Sequence, residues 1–111
     1  MTLYNVIISE NAKDQLENYI GYIQNVLKNG QAAENVWKDA VETAKVLSQA
    51  ANSLEYCSDP ELKSLGYRII RMRRHRYVML YRVADTKVYV DAVYHQLQDY
   101  ESIFSSQKDK N

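Results

Sequence analysis

One cysteine, one proline and three glycines in 111 residues exclude several kinds of chemistry at the outset. A lone Cys57 cannot close an internal disulfide, and such sparing use of cysteine agrees with a reducing compartment. A structural, half-buried thiol is the simpler reading of Cys57, because no His or Asn constellation surrounds it. None of Gly21, Gly30 and Gly66 lies in a glycine-rich loop ahead of a helix, so no nucleotide-cradling cofactor site is expected. Histidine occurs only as His75 and His95, with no Cys or Asp at ligand spacing, and no metal site is expected. No serine elbow or paired His/Asp arrangement points to acyl transfer. No apolar run approaches the ~20 residues needed to cross a bilayer. The opening Met1-Thr2-Leu3-Tyr4-Asn5 has neither a charged n-region nor an apolar h-region, so no signal peptide is expected. The sequence reads as a cytoplasmic protein without cofactor or membrane partner.

Acidic residues are also missing, from one stretch in particular. Residues 62–82 carry Lys63, Arg68, Arg71, Arg73, Arg74, Arg76 and Arg82 and no Asp or Glu. Residues 1–61 hold nine Asp/Glu against four Lys/Arg, and residues 62–111 hold ten Lys/Arg against five Asp/Glu. The zero net charge is thus a cancellation between halves of −5 and +5. Seven like charges in 21 residues repel one another without helping the chain fold. Interleaved with Tyr67, His75, Tyr77 and Tyr81, they suit a polyanion or an acidic partner segment. Arginine adds planar forks for phosphate or carboxylate that lysine cannot imitate. A solvated basic face is the plainer alternative.

A chain of this length forms one domain, assigned to residues 1–104, with a polar, frayed tail at 105–111. Residues 3–8, rich in β-branched and aromatic side chains, read as a strand, with Ser9 as N-cap of a helix. Ala12, Leu16, Tyr19/Ile20, Ile23 and Leu27 recur at helical spacing, and Asn29-Gly30 is the expected stop, with Gly at the left-handed C′ position. Ala33, Val36/Trp37, Ala40, Ala44, Leu47 and Ala51 mark a second helix, antiparallel to the first. Gly21 suggests a close approach between the two. Ser58-Asp59-Pro60 is a turn. The period then becomes two, and residues 67–72, 77–83 and 87–94 read as strands. Leu97, Tyr100, Glu101 and Phe104 suggest a short final helix. The fold class is α+β, in the order β-α-α-β-β-β with a short C-terminal helix. The helical hairpin lies on one face of a small, mainly antiparallel sheet, and the other face is left open for the basic residues.

The remaining chemistry is acid–base and electrostatic. Attack of an RNA 2′-hydroxyl on its own phosphodiester needs a base, cations and an acid. His95, Tyr94 and Tyr100 are candidate acids or bases, and Arg71 and Arg73 candidate cations. Each has a plainer structural reading, since ten tyrosines serve mainly as packing groups.

The layout, with Arg76-Tyr77-Val78-Met79-Leu80-Tyr81-Arg82-Val83 and Val93-Tyr94-His95-Gln96-Leu97-Gln98-Asp99-Tyr100, resembles the RelE/ParE superfamily of bacterial toxins from Leu3 to Phe104. The resemblance implies the toxic half of a type II toxin–antitoxin module, neutralised by a cognate antitoxin that wraps the toxin. RelE-like members cut messenger RNA on the ribosome. In an ungapped comparison Arg71 and Arg73 match basic positions of that site, with His95 and Tyr100 as further candidates. Ile69, Val78, Gln96 and Ser102, however, stand where a lysine, two arginines and a tyrosine are implied. ParE-like members are associated with inhibition of DNA gyrase and share the long helical hairpin, so the resemblance favours a ParE-like scaffold. Arg68, Arg74, Arg76 and Arg82 are then candidates for binding an acidic antitoxin or the target. The competing reading from another class is a basic nucleic-acid-binding module without an antitoxin.

Overall fold

The computed structural model describes residues 3–109. Strand β1, Asn5–Ile8, runs into helix α1, Glu10–Asn25, through Ser9, whose Oγ accepts from the Ala12 amide at 3.1 Å. That bond satisfies one of the orphan donors of the first turn. Helix α2, Gly30–Ala50, returns antiparallel and ends in a single 3₁₀ turn, Ala51–Ser53. The stop between the helices differs from the expected one. Helix α1 ends at Asn25, the link passes through Lys28 at φ +55°, and Asn29 caps α2 by accepting from the Ala32 amide. Gly30 is the first residue of α2 rather than a C′ residue. Asn is a strong N-cap, and the left-handed residue falls earlier in the link.

Strands β2, Tyr67–Arg71, β3, Tyr77–Ala84, and β4, Lys87–His95, lie within a residue of their sequence-based bounds at each end. The sheet order is β1-β4-β3-β2, with β1 parallel to β4 and the other pairs antiparallel. Asp85, at φ +59°, turns β3 into β4 with the left-handed residue such hairpins require. The outer edge of β2 is bonded to the segment before it, through Cys57 N–H to Tyr67 C=O and Ile69 N–H to Glu55 C=O.

Alternation along β3 feeds two cores. Met79 and Tyr81 face the helical hairpin with Leu16, Val36, Ala40 and Leu47, whereas Val78 and Leu80 face away. That second face is not open. It is covered by helix α3, Pro60–Ser64, and helix α4, Tyr100–Asp109, whose Leu62 and Phe104 join Cys57, Tyr67, Ile69, Val78 and Tyr94 in a second core. The expected turn at Ser58-Asp59-Pro60 is a helix start. The Asp59 carboxylate accepts from the Glu61 and Leu62 amides, and Pro60 occupies the first helical position. Residues 105–109 are helical rather than frayed, because Phe104 meets the Tyr67 ring edge-on at 5.1 Å and Ser105 donates to Glu61 at 3.1 Å. Lys110 and Asn111, the rest of the expected tail, lie outside the described residues. No described helix is long and apolar enough to cross a membrane.

Gly21 does not mark a close helix–helix approach. A Cβ added there would meet only the Asn25 side chain of its own helix, at 4.0 Å. With space free and no positive φ, Gly21→Ala removes a helix-interior penalty at no steric cost. It is expected to stabilise the fold by about 0.5–1 kcal/mol, read as a higher midpoint in urea with unchanged slope.

Candidate functional site

The structure sorts the arginines into two groups. Arg68, Arg71 and Arg82 are engaged internally. The Arg68 guanidinium donates to the Leu54 carbonyl and lies 3.9 Å from the Tyr56 ring centroid. Arg71 pairs with Glu55 at 2.7 Å, and that hydrogen bond, with Tyr100 beside it, raises the guanidinium pKa above its ordinary value. Arg82 donates to Asp91 at 3.1 Å and stacks over Tyr89 at 4.4 Å. Arg73, Arg74 and Arg76 belong to the exposed β2–β3 turn, and their guanidinium groups form no ion pair among the described residues.

That turn is tied to α2 by Asp39. Its Oδ2 accepts from the Arg74 amide at 2.9 Å and meets His75 Nδ1 at 2.7 Å. Asp39 is 2% exposed, and its Oδ1 has no hydrogen-bond partner. A buried carboxylate without hydrogen-bond donors would be costly to desolvate, and the Arg74 amide and the His75 ring supply polar partners. The side chains of Arg73, Arg74 and Arg76 are thereby left to solvent while the backbone beneath them is held.

Of the candidate nuclease residues, Arg71 and Tyr100 are brought together and His95 and Arg73 stand apart from them. Arg71 is in register with Val78, and His95 with Tyr77, on either side of β3. Strand alternation places Arg71 on the second face with Tyr67 and Ile69, and His95 on the hairpin face with Val93. Tyr100 packs on the second face and interacts with Arg71. His95 meets the Tyr77 ring edge-on at 5.4 Å and accepts at Nδ1 from the Leu97 amide. Arg73 stays in the turn.

Two cavities flank these groups. One of about 750 Å³ lies on the second face, between Tyr67, Arg82, Asp91, Phe104 and Lys108. Its polar groups converge on Asp91, whose carboxylate also accepts from Tyr67 at 2.7 Å and whose carbonyl accepts from Ser9 and Asn11. The other, about 430 Å³, lies where the link between α1 and α2 meets the β2–β3 turn. It is lined by aliphatic side chains together with Arg74, His75, Arg76, Tyr77 and His95. Sequence reasoning missed the acidic partners Asp39, Glu55 and Asp91. Asp39 carried a readable signal, an acid among Val36, Ala40 and Leu47 on the apolar stripe of a helix.

Residues 6–100 match the family model for the ParE toxin of the type II toxin–antitoxin system parDE. This chain belongs to the ParE toxin family. Its fold is similar to a chain of the chromosomal ParDE toxin–antitoxin system of P. aeruginosa, with a TM-score of 0.70, 20% identity, and 84% of this chain and 96% of that one covered. It is also similar to a chain of the toxin–antitoxin complex RelBE2 of Mycobacterium tuberculosis, with a TM-score of 0.57, 21% identity, and coverage of 85% and 99%. No curated protein matches it in sequence.

The toxin has few interior groups suited to act as a base. Burial, with Tyr94 and Tyr77 adding to it, pushes the Tyr19 phenol up to about 12. Burial also raises Tyr77, Tyr81 and Tyr94, and burial with the Asp91 hydrogen bond raises Tyr67. The Cys57 thiol is pushed up to about 12, first by burial and then by Glu101 and Asp59, so it is a poor nucleophile. A base effective near neutrality needs a pKa much closer to the working pH.

Two outcomes follow for this toxin. Between the ordinary phenol value of 10.0 and about 12, the unfolded chain has lost the Tyr19 proton that the folded chain keeps. Stability should therefore be full below pH 10 and fall as pH rises towards 12. Absorbance at 295 nm should show a late-titrating class of phenols that disappears in denaturant. The Asp39–His75 pair should respond asymmetrically. His75→Ala leaves the buried carboxylate with the Arg74 amide alone and is expected to cost roughly 3 kcal/mol. Asp39→Asn keeps an acceptor for the Arg74 amide and leaves a partly exposed ring, at about 1–2 kcal/mol. Urea unfolding of both variants tests the order.

Proposed function

We propose that this toxin arrests growth in the cytoplasm by binding a protein target, with DNA gyrase as the first candidate, and that an acidic cognate antitoxin neutralises it. One observation carries the preference for binding over RNA cleavage. Ile69 and Val78, at positions where the RelE-like resemblance implies cations, are 5% and 0% exposed and share a core with Phe104 of α4. A cation there would be desolvated without a partner. The separation of His95 from Arg71 and Tyr100 by the sheet supports the same reading, since a phosphoryl transfer site needs base, cation and acid around one phosphate.

The second reading, ribosome-dependent cleavage of messenger RNA, rests on the pairing of Arg71 with Tyr100 at the solvent-facing end of β2. Purified toxin tested on gyrase supercoiling and on ribosome-bound messenger RNA separates the two. Inhibited supercoiling with no cleavage is expected, and Arg71→Ala and Tyr100→Phe should leave growth arrest intact. Efficient cleavage that Tyr100→Phe abolishes would replace the binding mechanism with the nuclease. Inactivity in both assays would exclude both targets and leave arrest by a third.

A further inference from the structure

We infer that the cavity where the α1–α2 link meets the β2–β3 turn is the anchor pocket for one apolar side chain of the antitoxin, seated between carboxylates that reach Arg74 and Arg76. This inference rests on the toxin–antitoxin reading and adds to it a site and the chemistry of the segment that fills it. The cavity, about 430 Å³, is large enough for a leucine or phenylalanine side chain. Ile23, Leu27, Ala32 and Val36 give it an aliphatic lining; Val36 is buried beneath it, and Leu27, 57% exposed, is the apolar side chain open to solvent. Arg74 and Arg76 line it too, and their guanidinium groups form no ion pair among the described residues. Apolar anchors at a rim of charge divide the work of recognition, with the anchor supplying affinity and the charges supplying steering and register.

The arrangement is also preorganised. Asp39 holds the backbone at Arg74 and the ring of His75, so the turn need not be ordered on binding. Because the Arg74 contact uses the backbone amide, replacing its side chain leaves that tie in place.

A nucleic acid fits this end of the molecule less well. Duplex DNA presents a charge about every 1.7 Å and rewards an extended basic surface. Here the positive field is local. The neighbouring cavity that shares Arg74 and His75 is lined also by Asp39, Glu42 and Lys38, and Lys38 is paired with Glu34 at 3.4 Å. A short acidic peptide meets the cations without extending over those carboxylates.

The test uses the full-length toxin, freed from its antitoxin, and fluorescein-labelled 15-residue peptides covering the antitoxin sequence, read by anisotropy. A peptide with carboxylates around a large apolar residue should bind. The double substitution Arg74→Glu/Arg76→Glu should weaken it at least tenfold, with the difference shrinking at high salt. Ala32→Leu, which fills the cavity without altering charge, should weaken it about fivefold while circular dichroism and melting stay unchanged. Replacing the peptide's apolar residue by alanine should make Ala32→Leu harmless, a coupling that general destabilisation cannot produce. Peptide binding indifferent to both toxin variants overturns the pocket while leaving the toxin identity intact. Absence of binding by any antitoxin peptide also overturns it, as does a labelled 20-nucleotide single strand binding in their place with the same sensitivity to the variants. Growth arrest that co-expression of a small acidic protein encoded beside the toxin fails to relieve would instead remove the reading beneath it.

Discussion

Leu80 faces Ala92 across the β3–β4 ladder and Tyr81 faces Val90, so Asp91 is a surplus residue in β4. A bulge of this kind changes which face the following side chains occupy. Alternation already puts Asp91 on the second face, opposite to Val90, and the bulge brings Ala92 to that face beside it. The carboxylate receives Tyr67 from β2 and Arg82 from β3, and the carbonyl receives Ser9 and Asn11 at the start of α1. One residue thus ties the β1–α1 junction to the three antiparallel strands. Without the bulge, the alternation that gives Val88 and Val90 to one core would not be reset, and Ala92 and Tyr94 would not reach the other.

The same logic explains how the chain tolerates its basic run. Cations at 68, 71 and 82 are matched by an aromatic face and by acids at 55 and 91, none of which lies inside the run. The cancellation of charge between the halves is therefore realised in space as pairs, not only as a total. What the pairing does not absorb is concentrated at the β2–β3 turn, where a buried acid from α2 grips the backbone and His75 but takes no guanidinium. Self-repulsion is greatest at that turn, where it is exposed and screened.

Periodicity made the strands and the hairpin legible, because a switch from 3.6 to 2 is a direct consequence of which positions are buried. It could not reveal the second layer. Helix α3 is only five residues long, and its start, Asp59-Pro60, has the composition of a turn as well as of a cap. The polar C-terminal residues read as a tail because what holds their helix is tertiary, with Ile103 and Phe104 on the second core, Ser105 donating to Glu61 and Glu101 accepting from the Asp59 amide. The candidate site was legible as a set of residue types but not as an arrangement. Arg71 and His95 are both near strand ends, yet the parity that puts them on opposite faces depends on the bulge at Asp91, which leaves no mark in the sequence beyond an acid in an apolar strand.

The second layer also bears on the proposed preference for binding over RNA cleavage. A strand position cannot be at once a core side chain and a solvated cation. At Ile69 and Val78 the choice has been made by α4, whose Phe104 completes the core above them and whose Tyr100 caps the edge near Arg71. Introducing lysine or arginine beneath that helix would require either displacing it or desolvating the charge, and the penalty for an unpaired buried ion exceeds the small net stability of a domain this size. Seating α4 on the sheet and presenting cations from the same sheet face are therefore competing uses of one surface. In this chain the surface is spent on packing, and the charges available to a partner lie at the turn beyond the end of β2.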